Sequence, residues 1–331
     1  MAVELENYIE NKILLGNSIR LVTNHICQER CSFCHNEGNG GVYTNTPLDI
    51  EEAVSFVARA KNEFGLTEVT LTGGEPSLFK GVENLIKQLK NNGLKVQITT
   101  NGDWEPVFLN KLISTGLDVI NFSLHAVNAQ DFWVVQGEGK FGRSLRWCDW
   151  LIQRKTNNIL QAKDKVSTKI NTVVISKDIT GRVVNFAFHH RLDIRLMRDL
   201  NKVEISEKII QEIIEEKELV LSTRVLSTGD SSNSYSEYAH LKNPALRLKV
   251  KRFSDVYLES LCGNCSFRHK SSCRERFYGI RLEPNPKSGE LQVRLCIDRH
   301  DPQAVMAIKD FWKSNHIAAL KSNYDQGFIT E

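Results

Sequence analysis

"CQERCSFCHNEG", Cys27–Gly38, sets three cysteines at C-x3-C-x2-C with no fourth nearby. Thiolates are soft ligands suited to zinc or to iron–sulfur clusters. A structural zinc ion takes four protein ligands, typically as two cysteine pairs. No partner pair and no His-x3-His lies near Cys27, so zinc here needs a distant fourth ligand. An iron–sulfur cluster held by three thiolates instead leaves one iron open to bind something else. Spacing alone admits both readings.

Outward from the loop, short strand patterns alternate with helical ones. "IRLVTN" (Ile19–Asn24) reads as a strand that delivers the chain to Cys27. "TPLDIEEAVSFVARAKNEFG" reads as a helix, with Thr46 as its cap, Pro47 in its first turn and an apolar stripe of Ile50, Val54, Val57 and Ala58. Strands follow at Glu68–Thr72, Lys95–Asn101, Asp118–His125, Ser167–Ile175 and "LDIRLM", separated by helical segments. Those segments fall near 81–91, 108–113, 143–155 and 180–191, with a last one at roughly 204–217. About six βα units in order predict an α/β fold with a parallel sheet, open or curled into a partial barrel.

The strands alternate where strands of a doubly covered parallel sheet run continuously apolar. Gln97, Thr99 and Asn101 oppose Val96 and Ile98; Asn121, Ser123 and His125 oppose Ile120, Phe122 and Leu124; Lys169 and Asn171 oppose Ile170 and Thr172. The apolar set should meet the helices and leave a polar interior. A closed eight-stranded barrel fills its centre with branched aliphatics, so this one is expected to hold a polar ligand.

Composition excludes several classes. Of 331 residues 41% are hydrophobic and 25% charged, which argues against disorder. A net charge of +3 is too mild to imply a nucleic-acid polymer. The first twenty residues lack a signal-peptide pattern and no stretch is long and apolar enough to span a bilayer. A cytoplasmic protein with no membrane partner is expected, and its eight cysteines then point to metal or redox chemistry rather than disulfides. Four lie late, at Cys262, Cys265, Cys273 and Cys296, a spacing that also suits a four-cysteine zinc site. Cys148, in "RSLRWCDWL", reads as a buried core residue. Residues 222–238 are Ser-rich and turn-like, a candidate boundary or mobile loop, and "LRLKVKR" reads as an edge strand whose Arg247, Lys249 and Lys251 are solvated. A terminal helix is expected over about Pro302–Leu320.

The cysteine loop, with Phe33 just before its third cysteine, resembles the signature of the radical S-adenosylmethionine (SAM) superfamily. That resemblance implies a [4Fe–4S] cluster on Cys27, Cys31 and Cys34, SAM on its open iron, Phe33 beside the adenine, and reductive cleavage to a 5′-deoxyadenosyl radical. "LTGGEPS", ending the second strand, stands where the family has its Gly-Gly-Glu motif: Gly73 and Gly74 allow close backbone approach and Glu75 offers an acceptor to the SAM ammonium. Asn101 in "TTNG" and Ser123 in "SLHA" match family positions where polar groups meet SAM. Read singly, each is also an ordinary satisfied strand end.

Within the superfamily the chain resembles the molybdenum-cofactor GTP 3′,8-cyclase (MoaA-like) group over about residues 18–300. "SIRLVTNHIC" brings Arg20 and "TKINTVVI" brings Lys169, both as phosphate contacts, with Asn171 near SAM. "LDIRLMRD" brings Arg195, and "CGNC…GIRLEP…GELQVRLCI" resembles the segment that holds a second cluster, with Arg281 as a substrate contact. The resemblance implies a partial (β/α)6 TIM-like barrel over 18–218, an N-terminal helical segment over 1–17 and a C-terminal auxiliary-cluster region over 219–331. Departures are as informative. Glu68, Val69 and Thr70 replace basic residues before the Gly-Gly-Glu turn, and Cys273 is an extra cysteine that could close the second cluster.

Lys169, Arg195 and His125 are the candidate catalytic groups, His125 being equally readable as a structural hydrogen-bonding residue; His35 and Glu37 read as loop polarity, and His189 and His190 as helix surface. The expected activity is hydrogen abstraction from a small polar metabolite, nucleotide-like compounds included, leading to cyclisation or rearrangement. The reductant is expected to be of the flavodoxin or ferredoxin type. A peptide-modifying maturase and a non-catalytic metal-binding protein are the alternatives, the short segment before the first strand weighing against the maturase.

Overall fold

Amphipathic helices laid on one face of alternating strands curl the sheet, because only that face is apolar enough to cover. The computed structural model describes residues 9–138, 142–268 and 273–326. Two strands open it, β1 (Glu10–Leu15) and β2 (Ser18–Val22), followed by α1 (Ile50–Phe64), β3 (Glu68–Thr72), α2 (Val82–Asn91), β4 (Lys95–Thr100), α3 (Pro106–Ser114) and β5 (Val119–Ser123). Two helices then intervene, α4 (Ala129–Val135) and α5 (Leu145–Lys163), before β6 (Ser167–Val173), α6 (Lys177–His189), β7 (Asp193–Met197) and α7 (Val203–Glu216). The last part comprises β8 (Leu219–Thr228), β9 (Tyr235–His240), β10 (Asn243–Lys251), α8 (Glu259–Cys262), β11 (Ile280–Pro284), β12 (Leu291–Arg294), β13 (Val305–Ala307), α9 (Ile308–Phe311) and α10 (His316–Gln326).

All described strands join one curled sheet in the order β1-β8-β9-β10-β7-β6-β5-β4-β3-β2-β11-β12-β13. The six strands β2 to β7 are consecutive and parallel, as the six βα units predict. Val96, Ile98, Ile120, Phe122, Leu124 and Ile170 are fully buried in the main core under the helices. Each such side chain contributes about 1.5–3 kcal/mol by leaving water. The opposite, polar face lines the hollow.

Several expectations need correction. The described part of the N-terminal segment is a strand, not a helix: β1 pairs in parallel with β8 through Glu10–Leu15, and residues 1–8 lie outside the described part. The Ser-rich stretch is not a loop throughout, since most of it forms β8 and β9; only its centre turns, around a fully buried Asp230. Its serines are buried against backbone partners, so their polarity signals packing rather than exposure: Ser231 Oγ donates to Glu275 O at 2.7 Å, and Ser227 N donates to Ser234 Oγ at 2.8 Å. β10 is not an edge, because β9 and β7 flank it.

Helix α1 begins at Ile50, with the Asp49 carboxylate capping Glu52 N at 2.9 Å, so Thr46 is not its cap. Leu48 N instead bonds Thr23 O, holding Thr46–Leu48 outside the helix. The terminal helix starts later than expected, at His316, after a short strand and a single turn have used Val305–Phe311. Cys148 is fully buried, as expected, in a satellite cluster with Phe132 and Leu151.

Candidate active site

Strand register assembles the site. On the concave face, Arg281 of β11 lies opposite Arg20 of β2, which lies opposite Thr70 of β3 and then Gln97 of β4. Further along, Ser123, Asn171, Arg195 and Lys249 stand side by side on β5, β6, β7 and β10. Together with the cysteine loop these residues line a cavity of about 770 Å³. Of the nineteen residues that sequence reading proposes for function, fifteen, all but the four late cysteines, fall on its wall. Period-2 alternation in parallel strands is what puts them there.

Cys27, Cys31 and Cys34 all open onto this cavity. Burial pushes the thiols of Cys27 and Cys31 up, and the nearby Glu29 carboxylate adds to it. Neutral thiols so placed become thiolates only when a cation compensates them. Hydrogen-bond donors already face the sulfurs: Asn101 Nδ2 approaches Cys27 Sγ at 3.9 Å and Gln136 Nε2 approaches Cys31 Sγ at 3.5 Å. Among the described residues no three histidine, cysteine, aspartate or glutamate side chains are drawn together around a single ion. The thiols stand around an open volume instead.

Gly73 and Gly74 line the cavity and also allow a close approach of backbone to backbone. A Cβ on Gly73 would stand 2.5 Å from Asn24 O, and one on Gly74 would stand 2.1 Å from Ile26 O. The turn therefore packs directly on the backbone that leads into the cysteine loop, and Glu75 N donates to Ile26 O at 2.7 Å. Glu75 is buried and its carboxylate accepts from Thr100 Oγ1 at 2.6 Å, Asn101 N at 2.7 Å and Ser77 N at 2.9 Å. Burial raises its pKa against those bonds. A carboxylate offers about four acceptor positions, so one remains for a ligand on the cavity side.

His125 is buried and accepts from Val173 N at Nδ1, 3.1 Å away, which leaves the proton on Nε2. Burial, helped by Lys155, lowers its pKa to about 3. It is a neutral donor near neutral pH and a poor proton shuttle. Its ring meets Phe33 edge-on at 4.7 Å, fixing that aromatic on the cavity wall. Ser123 and Asn171 make no side-chain hydrogen bond among the described residues and keep their polar groups for a ligand.

Glu37, read from sequence as loop polarity, is a hub. Its carboxylate takes Arg20 Nη2 at 2.5 Å, Arg281 Nε at 3.1 Å and Thr72 Oγ1 at 3.2 Å. Burial opposes its charge, but the Arg20 and Arg281 guanidiniums more than offset this and hold it well below the usual carboxylate range. Arg281 also pairs with Glu275 at 2.7 Å, and both arginines lie over the Tyr278 ring. Asn36 and Glu37 adopt left-handed backbone, φ +44° and +52°. Such strain persists where surrounding contacts hold it. No local pattern in the sequence announces this hub, because its partners lie 17 and 244 residues away.

Across the cavity the charge balance differs. Lys169 and Arg195 form no ion pair among the described residues, and burial followed by Arg195 and Lys249 lowers the Lys169 pKa. Lys249 has distant partners, Glu237 at 3.5 Å and Asp193 at 3.7 Å. Lys251, expected to be solvated, is buried and donates to Ser231 O and Ser232 O at 2.8 and 2.6 Å.

Away from the cavity, Cys262 lies within electrostatic reach of Cys265 and Cys273, and burial raises its pKa to about 11. Cys296 follows β12; its thiol, also raised to about 11 by burial and then Glu275, accepts from the backbone at Asp298 and Arg299. Arg299 lies close to both Cys265 and Cys296. Cys262 ends α8, with Cys265 just after it, while Cys273 and Cys296 come from later loops.

Comparison with known proteins agrees with this layout. Residues 21–178 match the radical SAM superfamily model. A probable GTP 3′,8-cyclase from Sulfurisphaera tokodaii is 28% identical over 93% of this chain and 90% of its own length. Another from Sulfolobus acidocaldarius is 32% identical over 57% of this chain and 58% of its own length. In fold, Streptococcus suis SuiB bound to S-adenosylmethionine is similar with a TM-score of 0.56 at 14% identity, covering 93% of this chain and 68% of SuiB. The anSMEcpe protein with bound AdoMet gives 0.53 at 14%, covering 96% and 84%. No described helix is long and apolar enough to cross a membrane. A radical SAM domain implies a [4Fe–4S] cluster and SAM. The donor set fits that pair, with three thiols met by N–H donors on one side of a polar cavity that keeps further hydrogen-bonding groups free.

Proposed function

We propose that this chain, whose residues 21–178 match the radical SAM superfamily model, is a radical SAM enzyme of the MoaA-like type that generates a radical against a small anionic, nucleotide-like metabolite held in the barrel. Cys27, Cys31 and Cys34 would hold the cluster, with SAM between Phe33, Glu75, Asn101, Ser123 and Asn171. When bound, the reduced cluster would supply one electron to the sulfonium of SAM, whose cleavage to methionine would provide a 5′-deoxyadenosyl radical able to take a hydrogen atom from a substrate C–H bond. The electron comes from a low-potential donor of the flavodoxin or ferredoxin type. The protein's own part is to orient and to exclude water. Asn101 and Gln136 stabilise thiolate charge with N–H donors, and neutral His125 offers its Nε2–H to the ligand.

The observation that carries the substrate class is the uneven charge of the cavity. Arg20 and Arg281 are matched by Glu37 and Glu275, so that quartet is neutral. Lys169 and Arg195 are uncompensated and face the same hollow. An anionic group of the substrate therefore belongs at Lys169 and Arg195. Among the described residues lining the cavity, Lys169 and Arg195 are the two lysine and arginine side chains with neither an ion pair nor a hydrogen bond, which favours nucleotides less highly charged than a GTP triphosphate. The four late cysteines would hold a second [4Fe–4S] cluster, closed by Cys273.

Anaerobic reconstitution, iron counting and SAM cleavage with and without candidate nucleotides test this reading. About eight irons per chain and 5′-deoxyadenosine stimulated by a nucleoside monophosphate support it. Zinc in place of iron, or no 5′-deoxyadenosine under reduction, overturns it. Turnover of peptides alone would favour the maturase reading.

A further inference from the structure

Beside the cysteine loop sits an almost fully buried ion pair, whose Glu29 just touches the cavity wall and whose Lys155 lies off it. Glu29 lies between the first two cysteines and is 3% exposed; Lys155, from the middle of α5, is fully buried. Lys155 Nζ meets Glu29 Oε1 at 2.7 Å, while Glu29 Oε2 lies 3.5 Å from Cys31 Sγ. Gln136, fully buried at the end of α4, bridges the arrangement. Its Nε2 stands 3.5 Å from both Glu29 Oε2 and Cys31 Sγ, and its Oε1 accepts from Arg30 N at 2.7 Å. The surroundings are apolar: Phe132, Cys148, Leu151 and Ile152 pack in the adjoining cluster, and Lys155 lies over the Phe132 ring at 5.0 Å.

A buried pair of this kind is often no more stable than hydrophobic residues of the same volume. Fold stability therefore does not explain it. Its orientation does: the negative end points at a cysteine sulfur and the positive end points away. Reduction potentials of iron–sulfur clusters respond to local net charge, hydrogen bonds to sulfur and solvent exposure. All three are set here by Glu29, Lys155 and Gln136, close to one ligand of three.

We propose that Glu29, Lys155 and Gln136 are positioning residues that set the reduction potential of the cluster bound by the N-terminal cysteines. This rests on the cluster assignment above. Glu29 disfavours the added electron, Lys155 holds that carboxylate in place and limits its effect, and the Gln136 N–H favours the electron by bonding to Cys31 sulfur. The charge that tunes the cluster thus sits at the edge of the cavity in Glu29, while Lys155 and Gln136 hold it from outside the lining.

The test is an anaerobic redox titration of the reconstituted full chain, followed by electron paramagnetic resonance. The cluster in question is identified as the signal that changes when SAM is added. Glu29→Gln should shift its midpoint to more positive potential, and Gln136→Leu to more negative potential. Lys155→Met leaves the carboxylate uncompensated and should shift the midpoint negative if the cluster loads. The double variant Glu29→Gln/Lys155→Gln removes both charges without leaving either unpaired, and its midpoint should fall between those of the parent and Glu29→Gln. Signals from the second cluster should stay fixed in every variant. Unchanged midpoints in loaded Glu29→Gln and in the double variant overturn the proposal. So do shifts shared equally by both clusters, or a double variant that restores loading but not a displaced potential. A parent chain that loads no SAM-responsive cluster instead overturns the assignment on which the inference rests.

Discussion

The two cysteine regions of this molecule are built on different principles. Around Cys27–Cys34 the backbone is locked by long-range partners. Asn24 Nδ2 bonds Glu75 O, Ser32 N bonds Val135 O, and Arg143 Nη2 bonds Gln28 O. Its polar groups are buried, and its thiols open on a deep cavity. Around Cys262–Cys296 the ligand candidates sit at the end of α8 and on the loops after it, with half-buried thiols and nearby exposed side chains such as Phe267. The difference teaches which region is shaped for reaction. A site that must leave one position open needs walls and fixed donors; a closed cluster needs only its ligands.

Replacing Cys27, Cys31 and Cys34 together by alanine breaks that comparison most sharply. SAM cleavage should vanish and iron content should fall from about eight to about four. Replacing Cys262, Cys265, Cys273 and Cys296 instead should remove a similar amount of iron while SAM cleavage without substrate persists. Iron analysis and 5′-deoxyadenosine assays read both results.

Next in size is the strap between the two regions. Arg281 on β11 joins Glu37 of the first loop to Glu275, two residues after Cys273. Arg281→Met leaves Glu275 buried without its partner and should destabilise the protein by about 3–5 kcal/mol. Denaturant unfolding checks this, and Arg281→Lys should recover only part of the loss because one ammonium cannot serve both carboxylates.

Asp230, in the β8–β9 turn under α10, distinguishes the C-terminal part by pH. Burial raises its pKa from 3.8 to about 6, against bonds from Ser232 and Tyr324. Folding thus favours its protonated form, a contribution fully present below pH 3.8 and lost as pH rises through about 6. The loss amounts to about 3 kcal/mol. Asp230→Asn should remove this slope between pH 4 and 7, as read from unfolding free energies across that range.

Smaller effects sharpen the reading of the first region. Lys169→Met or Arg195→Met should each lower kcat/KM for an anionic substrate roughly ten- to hundredfold, with substrate-free SAM cleavage unchanged. Asp49→Ala removes the α1 cap and should cost only about 1 kcal/mol, visible as roughly 2 °C in Tm. That substitution lies outside the cavity and controls for general destabilisation.

Much of this was legible from local pattern. The polar members of the alternating strands sit on the cavity and their apolar neighbours sit in the core, because side-chain direction in a strand follows directly from residue parity. The N-terminal segment misled because an exposed edge strand carries no periodic constraint, and Glu10–Leu15 is exposed at every position. The Ser-rich stretch misled because small polar residues serve turns and buried strand pairs alike; only neighbours tell which.

Taken alone, the amino-acid order marked the cysteine loop as a candidate metal site and determined the six parallel βα units and the polar lining, since spacing and alternation are local and survive without knowledge of neighbours. Tertiary structure decided how those groups are charged and held. Glu37 between two arginines, Glu29 against Lys155, neutral His125 and Lys251 out of solvent all depend on partners distant in sequence. Electrostatics in a buried site is set by distance and dielectric, and neither exists until the chain has folded.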